Sequence, residues 1–366
     1  MYEAFYRFRE KPFSILPDPS FLYLSSKHST ALALLDYGLM NQAGFNVITG
    51  EIGTGKTTLI RYMLTQMDRD VTIGLISNTH RSFGELLQWI LFAFNLDYRG
   101  KGKVEMFQTF LDFLVKEYSE NRRTVLIVDE AQNMSSETLE ELRMLSNINA
   151  DKDQLLQVIL VGQAGLRDLL RRPDLRQFAQ RIAVDYHLDP LDRNETHAYI
   201  RHRIAVAGGN DAQLFDDAAC DAVYKHSQGV PRLINLLCDT ALVYGFGAQK
   251  PHIGAPIVEE VAADKTQGGL FPSAARAADE PPAAMPQAAV LALDSIAMRN
   301  RDYPAGLAAD NDEARAAGGG VDSSMKVQSL PAQSSEREFM NYLKTAHAEL
   351  YTNLRSAMRS FAKRRG

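Results

Sequence analysis

The chain has 366 residues, enough for two or three domains, and its 45% hydrophobic content supplies an ordinary globular core. A net charge of −5 excludes a protein that coats nucleic acid through bulk positive charge. The two cysteines, Cys220 and Cys238, sit in apolar helical stretches and read as core residues of a reduced compartment, excluding a disulfide scaffold.

The opening residues, MYEAFYRFREKPFS, mix acids, bases and aromatics and lack the apolar run of a secretory leader. The longest apolar run, 86–94, is too short to span a bilayer and is interrupted by Gln88. The expectation is a cytoplasmic protein with no transmembrane segment. Residues 1–190 alternate short apolar strands with amphipathic helices, the pattern of a parallel α/β sheet sandwiched by helices. Five strands are expected, over 45–49, 71–77, 124–129, 157–162 and 183–188. Helical periodicity covers 56–67, 83–95, 104–118 and 135–148, the third carrying Phe107, Phe110, Leu111 and Leu114 on one side.

Residues 191–265 show no good strand. The spans 194–206, 216–227 and 231–244 read as a small all-α domain, with Asp216 as a helix N-cap and Pro231 near a helix start. From 266 to 334 the composition shifts to Ala, Gly, Pro and Ser, which cannot build a core and predicts a disordered, low-complexity linker. Over 335–366 Phe339, Leu343, Ala346, Leu350, Leu354, Ala357 and Phe361 form one stripe of an amphipathic helix. Its end is basic (Arg355, Arg359, Lys363, Arg364, Arg365), which suits packing on the protein itself, a partner groove, a coiled coil, DNA or an anionic membrane surface. Membrane contact of that kind would be peripheral, at the inner face.

One motif carries specific chemistry. Gly50, Glu51, Ile52, Gly53, Thr54, Gly55, Lys56 and Thr57 fit G-x-x-x-x-G-K-[ST] in full, followed by Thr58, after an apolar strand and at the start of a helix. Glycines let the backbone curl so that N–H groups point at phosphate oxygens, and the helix start adds its positive dipole end. Lys56 then reaches the β/γ-phosphates, and the Thr57 hydroxyl is a ligand for Mg²⁺. Further on, the strand VLIV ends in Asp129 and Glu130. Such an apolar strand should be central and lie beside the phosphate loop, so that Asp129 orients Mg²⁺ and Glu130 polarises the attacking water.

No LSGGQ-like stretch precedes Asp129, which argues against an ABC transporter subunit, and the remainder has no room for the second RecA-like domain that helicases with a DEAQ string require. The pattern resembles AAA+ proteins, and the resemblance implies further roles. Gln163, at the tip of LQVILVGQ, would sense the γ-phosphate. Arg181, with Arg176 as second choice, would be the arginine finger given to a neighbouring subunit. Arg232, in the turn GVPR, would reach the nucleotide from the small lid domain.

In order, MYEAFYRFREKPFSILPDPSFLYLS, GEIGTGKTT, VLIVDEAQ, ILVGQ, QRI and GVPRLIN resemble the general-secretion-pathway A type ATPases, and more so the related ATPases of exosortase and polysaccharide-export loci. That resemblance covers residues 1–265 and implies a homo-oligomeric ATPase, working with ATP and Mg²⁺ and with an export or envelope-assembly protein as partner. It also sets Pro17, Pro19 and Tyr23 near the adenine, with His28 as a contact, or else makes this stretch a packed arm. The secretion members continue into a membrane span and a peptidoglycan-binding domain that this sequence does not show, so direct peptidoglycan remodelling is not expected. The competing reading is a DNA-associated AAA+ regulator of the transposition-target or replication-loading kind. Against it, residues 191–250 carry six Lys/Arg and seven Asp/Glu, with no strong basic face.

Overall fold

The structure is a computed structural model that describes residues 1–67, 70–77, 86–150, 153–209 and 213–267. Of the linker expected over 266–334 only residues 266 and 267 are described, and they end a helix instead; its remainder and the helix expected over 335–366 lie outside the described residues, as do 83–85 of the second expected helix.

A short helix α1 (Tyr2–Phe5) opens the chain, and an extended arm leads to α2 (Ser26–Met40), which has no counterpart among the expected helices. Then follow β1 (Phe45–Gly50), α3 (Lys56–Gln66), β2 (Val71–Ile76), α4 (Leu86–Ala93), α5 (Lys103–Ser119), β3 (Arg123–Val128) and α6 (Ser136–Leu145). A two-residue ladder, β4 (Asn149–Ala150) with β5 (Asp153–Gln154), precedes β6 (Leu156–Gly162). Helices α7 (Ala164–Leu170) and α8 (Arg176–Ala179) lead to β7 (Ile182–Leu188). The chain then becomes helical, with α9 (Arg193–Val206), α10 (Asp217–Ser227), α11 (Pro231–Gly247) and α12 (Ala255–Gln267).

The five long strands form one parallel sheet in the order β2-β3-β6-β1-β7. All residues of β1 and β6 are buried, as expected for strands covered on both faces, whereas the edge strand β7 alternates. Side-chain alternation sends Phe45, Val47, Leu126, Val128, Val158 and Leu160 to the face covered by α4, α5 and α6. Ile48, Val125, Ile127, Ile159 and Val161 point to the face covered by α2 and α3. β3 is interior and its end meets the phosphate loop, as expected, although β6, which pairs with both β1 and β3, separates it from the strand before that loop. Apolar periodicity marks a strand as buried without fixing its place in the sheet.

The helices α9 to α12 enclose their own core around Ile200, Ile204, Val223, Ile234, Leu237 and Leu242. Cys220 and Cys238 are free, buried thiols of that core. The N-terminal segment, grouped by sequence with the α/β block, contributes Tyr2, Phe8, Phe13 and Phe21 to this helical core. Arg203 of α9 fastens the arm by donating to the carbonyls of Pro12 at 2.5 Å and Ser14 at 3.1 Å. Its guanidinium also lies 4.5 Å from the centre of the Phe21 ring. On the other side, Arg61 of α3 donates to Pro17 O at 2.6 Å, so the arm ties the helical domain to the phosphate-loop helix.

The turn into α11 sets how that helix meets the sheet domain. Gln228 and Gly229 are both left-handed, with φ of 50° and 74°, before Pro231 starts the helix. A Cβ on Gly229 would lie 1.8 Å from Leu191 O, and Gly229 O accepts from Leu191 N at 2.9 Å. Gly229→Ala should therefore lower stability by more than about 2 kcal/mol, read as a lower urea midpoint, while Gln228→Gly, which relieves a left-handed residue, should leave it unchanged or higher.

Candidate nucleotide-binding site

Beyond β1 the backbone turns back on itself. Thr54 N and Oγ1 both donate to Glu51 O, at 3.3 and 2.9 Å, and Gly53 and Gly55 take φ of 86° and 97°. Side chains rarely adopt such angles, which is why glycine stands there. Gly55 is the N-cap of α3, so the helix start faces the turn. Lys56 is only 8% exposed, and its ammonium donates to Gly50 O and Glu51 O, each at 2.8 Å. Burial pulls its pKa down, opposed by the negative charges of Asp129, Glu130 and Glu51.

At the end of β3 the two acids are held differently. The Asp129 carboxylate accepts from the Thr57 hydroxyl at 3.1 Å and from Glu130 N at 2.9 Å. Burial pushes its pKa up to about 6, with the Glu130 charge adding to the rise and these hydrogen bonds and Lys56 opposing it. Glu130 is left-handed, φ 54°, and its Oε2 accepts from Gln132 Nε2 at 2.5 Å and Gln163 Nε2 at 3.2 Å.

A cleft of about 270 Å³ opens between the phosphate loop, the arm and the helical domain. The sequence-predicted residues from 52 to 58, Glu130, Gln163 and Arg232 all line it. Asp129 joins them through Thr57, and Gly50 and Glu51 through Lys56. Arg232 meets the loop by its backbone, donating from N to Gly53 O at 3.1 Å, and its side chain is exposed. Pro17, Tyr23 and His28 line the cleft, whereas Pro19 opens a 3₁₀ turn and is not part of the lining. Arg176 and Arg181 are exposed and outside the cleft; the charges acting on Arg181 are those of Arg143 and Glu140.

Sequence reasoning missed several lining groups: Leu16, Leu191, Tyr199, Arg203 and Asn235. Their only signal is composition, because arm and helical domain are some 180 residues apart in the chain. It also missed Gln132, whose signal was available in the DEAQ string two residues beyond Glu130.

The oxygen donors Thr57 and Asp129 converge within hydrogen-bond distance at the mouth of the phosphate loop, a hard-oxygen pair that fits Mg²⁺, which takes few protein ligands beside phosphates and waters. Behind the loop, His28 is 3% exposed and bridges Ser25 Oγ at 2.8 Å and Thr54 O at 3.2 Å. With the ring neutral, Nε2–H donates to Thr54 O and Nδ1 accepts from Ser25.

Fold and site define the class: a P-loop AAA+ domain, a parallel five-stranded sheet flanked by helices, carrying a helical domain over the phosphate loop. The AAA domain family matches residues 39–170. Over 247 residues the chain is 43% identical to general secretion pathway protein A of Aeromonas hydrophila, covering 67% of this chain and 45% of that protein. The matched part of the chain is thus an AAA+ ATPase domain of the general-secretion-pathway A type, and the chain spans less than half the length of that relative. Among solved structures it resembles the Aeropyrum pernix ORC2 protein in its ADPNP–ADP complexes, with TM-score 0.53, 17% identity, and 71% of this chain and 79% of that chain covered. The Aeropyrum pernix ORC1 protein in complex with DNA gives TM-score 0.50 and 16% identity over 70% of this chain and 69% of that one. These two likenesses are of fold.

Burial lowers the His28 pKa below the ordinary 6.5, so the folded state favours the neutral ring. The support it gives Thr54 is whole above pH 6.5 and is lost as pH falls through the depressed folded value. The stability advantage of wild type over His28→Gln, measured by urea melts, should accordingly be smaller at about pH 5.5 than at pH 7.5.

Proposed function

We propose that this protein binds ATP with Mg²⁺, hydrolyses it to ADP and phosphate, and acts as a self-assembling ATPase that powers or regulates a secretion, exopolysaccharide-export or envelope-assembly system. The observation that carries the reading is the convergence of Lys56, Thr57 and Asp129 at one end of the cleft with Glu130 beside them. The backbone N–H groups of the loop and the Lys56 ammonium would hold the β/γ-phosphates, with Thr58 continuing the helix start. Thr57 and Asp129 would hold Mg²⁺, which when bound neutralises phosphate charge. Glu130 is the base for the attacking water, and Gln163, already hydrogen-bonded to Glu130, stands where the γ-phosphate would be sensed. Arg232 would close on the nucleotide from the helical lid.

Arg181 lies outside its own cleft and is exposed, which supports a role in trans, in an ATP-dependent ring or filament, with Arg176 as the alternative. The division into an ATPase domain (1–190), a lid (191–265), a linker (266–334) and a basic C-terminal helix (335–366) suits an assembly factor whose tail docks elsewhere. Identity to a secretion-pathway protein supports an envelope or export partner and a cytoplasmic site of action at the inner face of the membrane. Among the described residues no helix is long and apolar enough to cross a membrane.

The test is ATP turnover across protein concentration, with and without duplex DNA, using Glu130→Gln as the blank. Turnover should rise more than linearly with concentration, ignore DNA, and fall on the order of a thousandfold in Glu130→Gln and in Arg181→Ala. Strictly linear turnover unchanged in Arg181→Ala and Arg176→Ala removes the oligomer argument. Strong stimulation by DNA replaces the export reading with that of a DNA-associated regulator.

A further inference from the structure

The ends of β3 and β6 are joined by one side-chain amide. Gln132 Nε2 donates to Glu130 Oε2 at 2.5 Å, and the same amide accepts at Oε1 from the backbone N–H of Gln163 at 3.0 Å. Gln163 Nε2 then donates to the same Glu130 oxygen at 3.2 Å, closing a small cycle over three residues. Two further observations show that the backbone makes way for it. Gly162 leaves room for the amide, since a Cβ there would lie 2.9 Å from Gln132 Oε1. Glu130 also keeps a left-handed φ of 54° in the turn that leads from β3 to Gln132.

We propose that Gln132 is a positioning residue, an amide clamp that fixes the Glu130 carboxylate against the tip of β6. The inference rests on the hydrolysis reading above and deepens it. A carboxylate on a flexible two-carbon stem samples several rotamers, and a water-activating group must sit within hydrogen-bond reach of its target in one of them. Two N–H donors converging on Oε2 fix the rotamer in which the carboxylate would meet the nucleophilic water. Because Gln132 holds the backbone of Gln163 as well as Glu130, the base and the γ-phosphate-sensing tip move as one unit. Gln132 itself touches neither nucleotide nor water in this scheme; it acts through Glu130.

The experiment compares Gln132→Ala, Gln163→Ala and the double alanine variant with wild type, by steady-state kinetics, nucleotide binding and thermal melting of the full chain. Gln132→Ala is the sharpest probe: it removes the donor facing Glu130 without adding a second carboxyl that would share a proton with it. It should lower kcat on the order of tenfold to a hundredfold, with KM for ATP, ATP binding and the melting temperature unchanged. Loss in the double alanine variant should be smaller than the product of the two single losses, since both amides hold one oxygen. Full kcat in Gln132→Ala, or a rise in KM with kcat intact, overturns the clamp and leaves the hydrolysis reading standing. No wild-type turnover above the Glu130→Gln blank removes the hydrolysis reading, and this inference with it.

Discussion

The arrangement of the site depends on how closely α11 approaches the phosphate loop at Gly53. Arg232 N donates to Gly53 O, and a Cβ on Gly53 would fall 2.6 Å from the Arg232 Cβ and 3.2 Å from Val230 Cγ1. Only a residue without a side chain lets backbone meet backbone here. The contact fixes the helical domain over the loop and so defines the cleft wall that carries Arg232, Asn235 and Pro231. Gly53 thus answers two demands at once, a left-handed turn in the loop and a close seat for a second domain.

The acidic end of β3 shows a related economy. Asp129 closes a strand buried from Thr124 to Val128 and is itself only 9% exposed, so its charge is costly there. That cost is offset by short-range partners from three places: the Thr57 hydroxyl, the Glu130 N–H and the nearby Lys56. Because β6 separates β1 from β3, the partners come from the loop and helix beyond the strand ends, which bring Thr57 to Asp129 across the intervening strand. Side chains at the carboxyl ends of parallel strands can meet there without their strands being neighbours.

What was legible in the sequence is what is local in the chain. The phosphate loop is eight consecutive residues, its glycines acting through their backbone and its lysine folding its ammonium onto Gly50 O and Glu51 O, and the strands announce themselves by runs such as VLIV and QVILVG. Strand order, by contrast, is not written in periodicity, and β3 could be read as buried without revealing that β6 lies beside it. The Gln132 link joins residues 31 apart in the chain, and no single-sequence pattern predicts such an amide bridge. The arm was the hardest part. Tyr2, Phe8 and Phe13 read as a mixed aromatic segment, and only contact with α9 to α11 makes them core.

That arm makes the chain a closed circuit. The Tyr2 hydroxyl donates to Asp239, 237 residues away, and Phe13 packs edge-on against Phe215 with ring centres 5.8 Å apart. Because synthesis runs from N- to C-terminus, the arm emerges well before its partners, which follow the whole sheet, and is among the last parts to find its place. Until then the N-terminal aromatics stay exposed or make temporary contacts, and loop-closure entropy must be met before docking brings any return. The cleft, walled on one side by this arm, is then a late product of folding: the sheet and its phosphate loop can assemble first, but the cleft is finished only when the arm joins the helical domain.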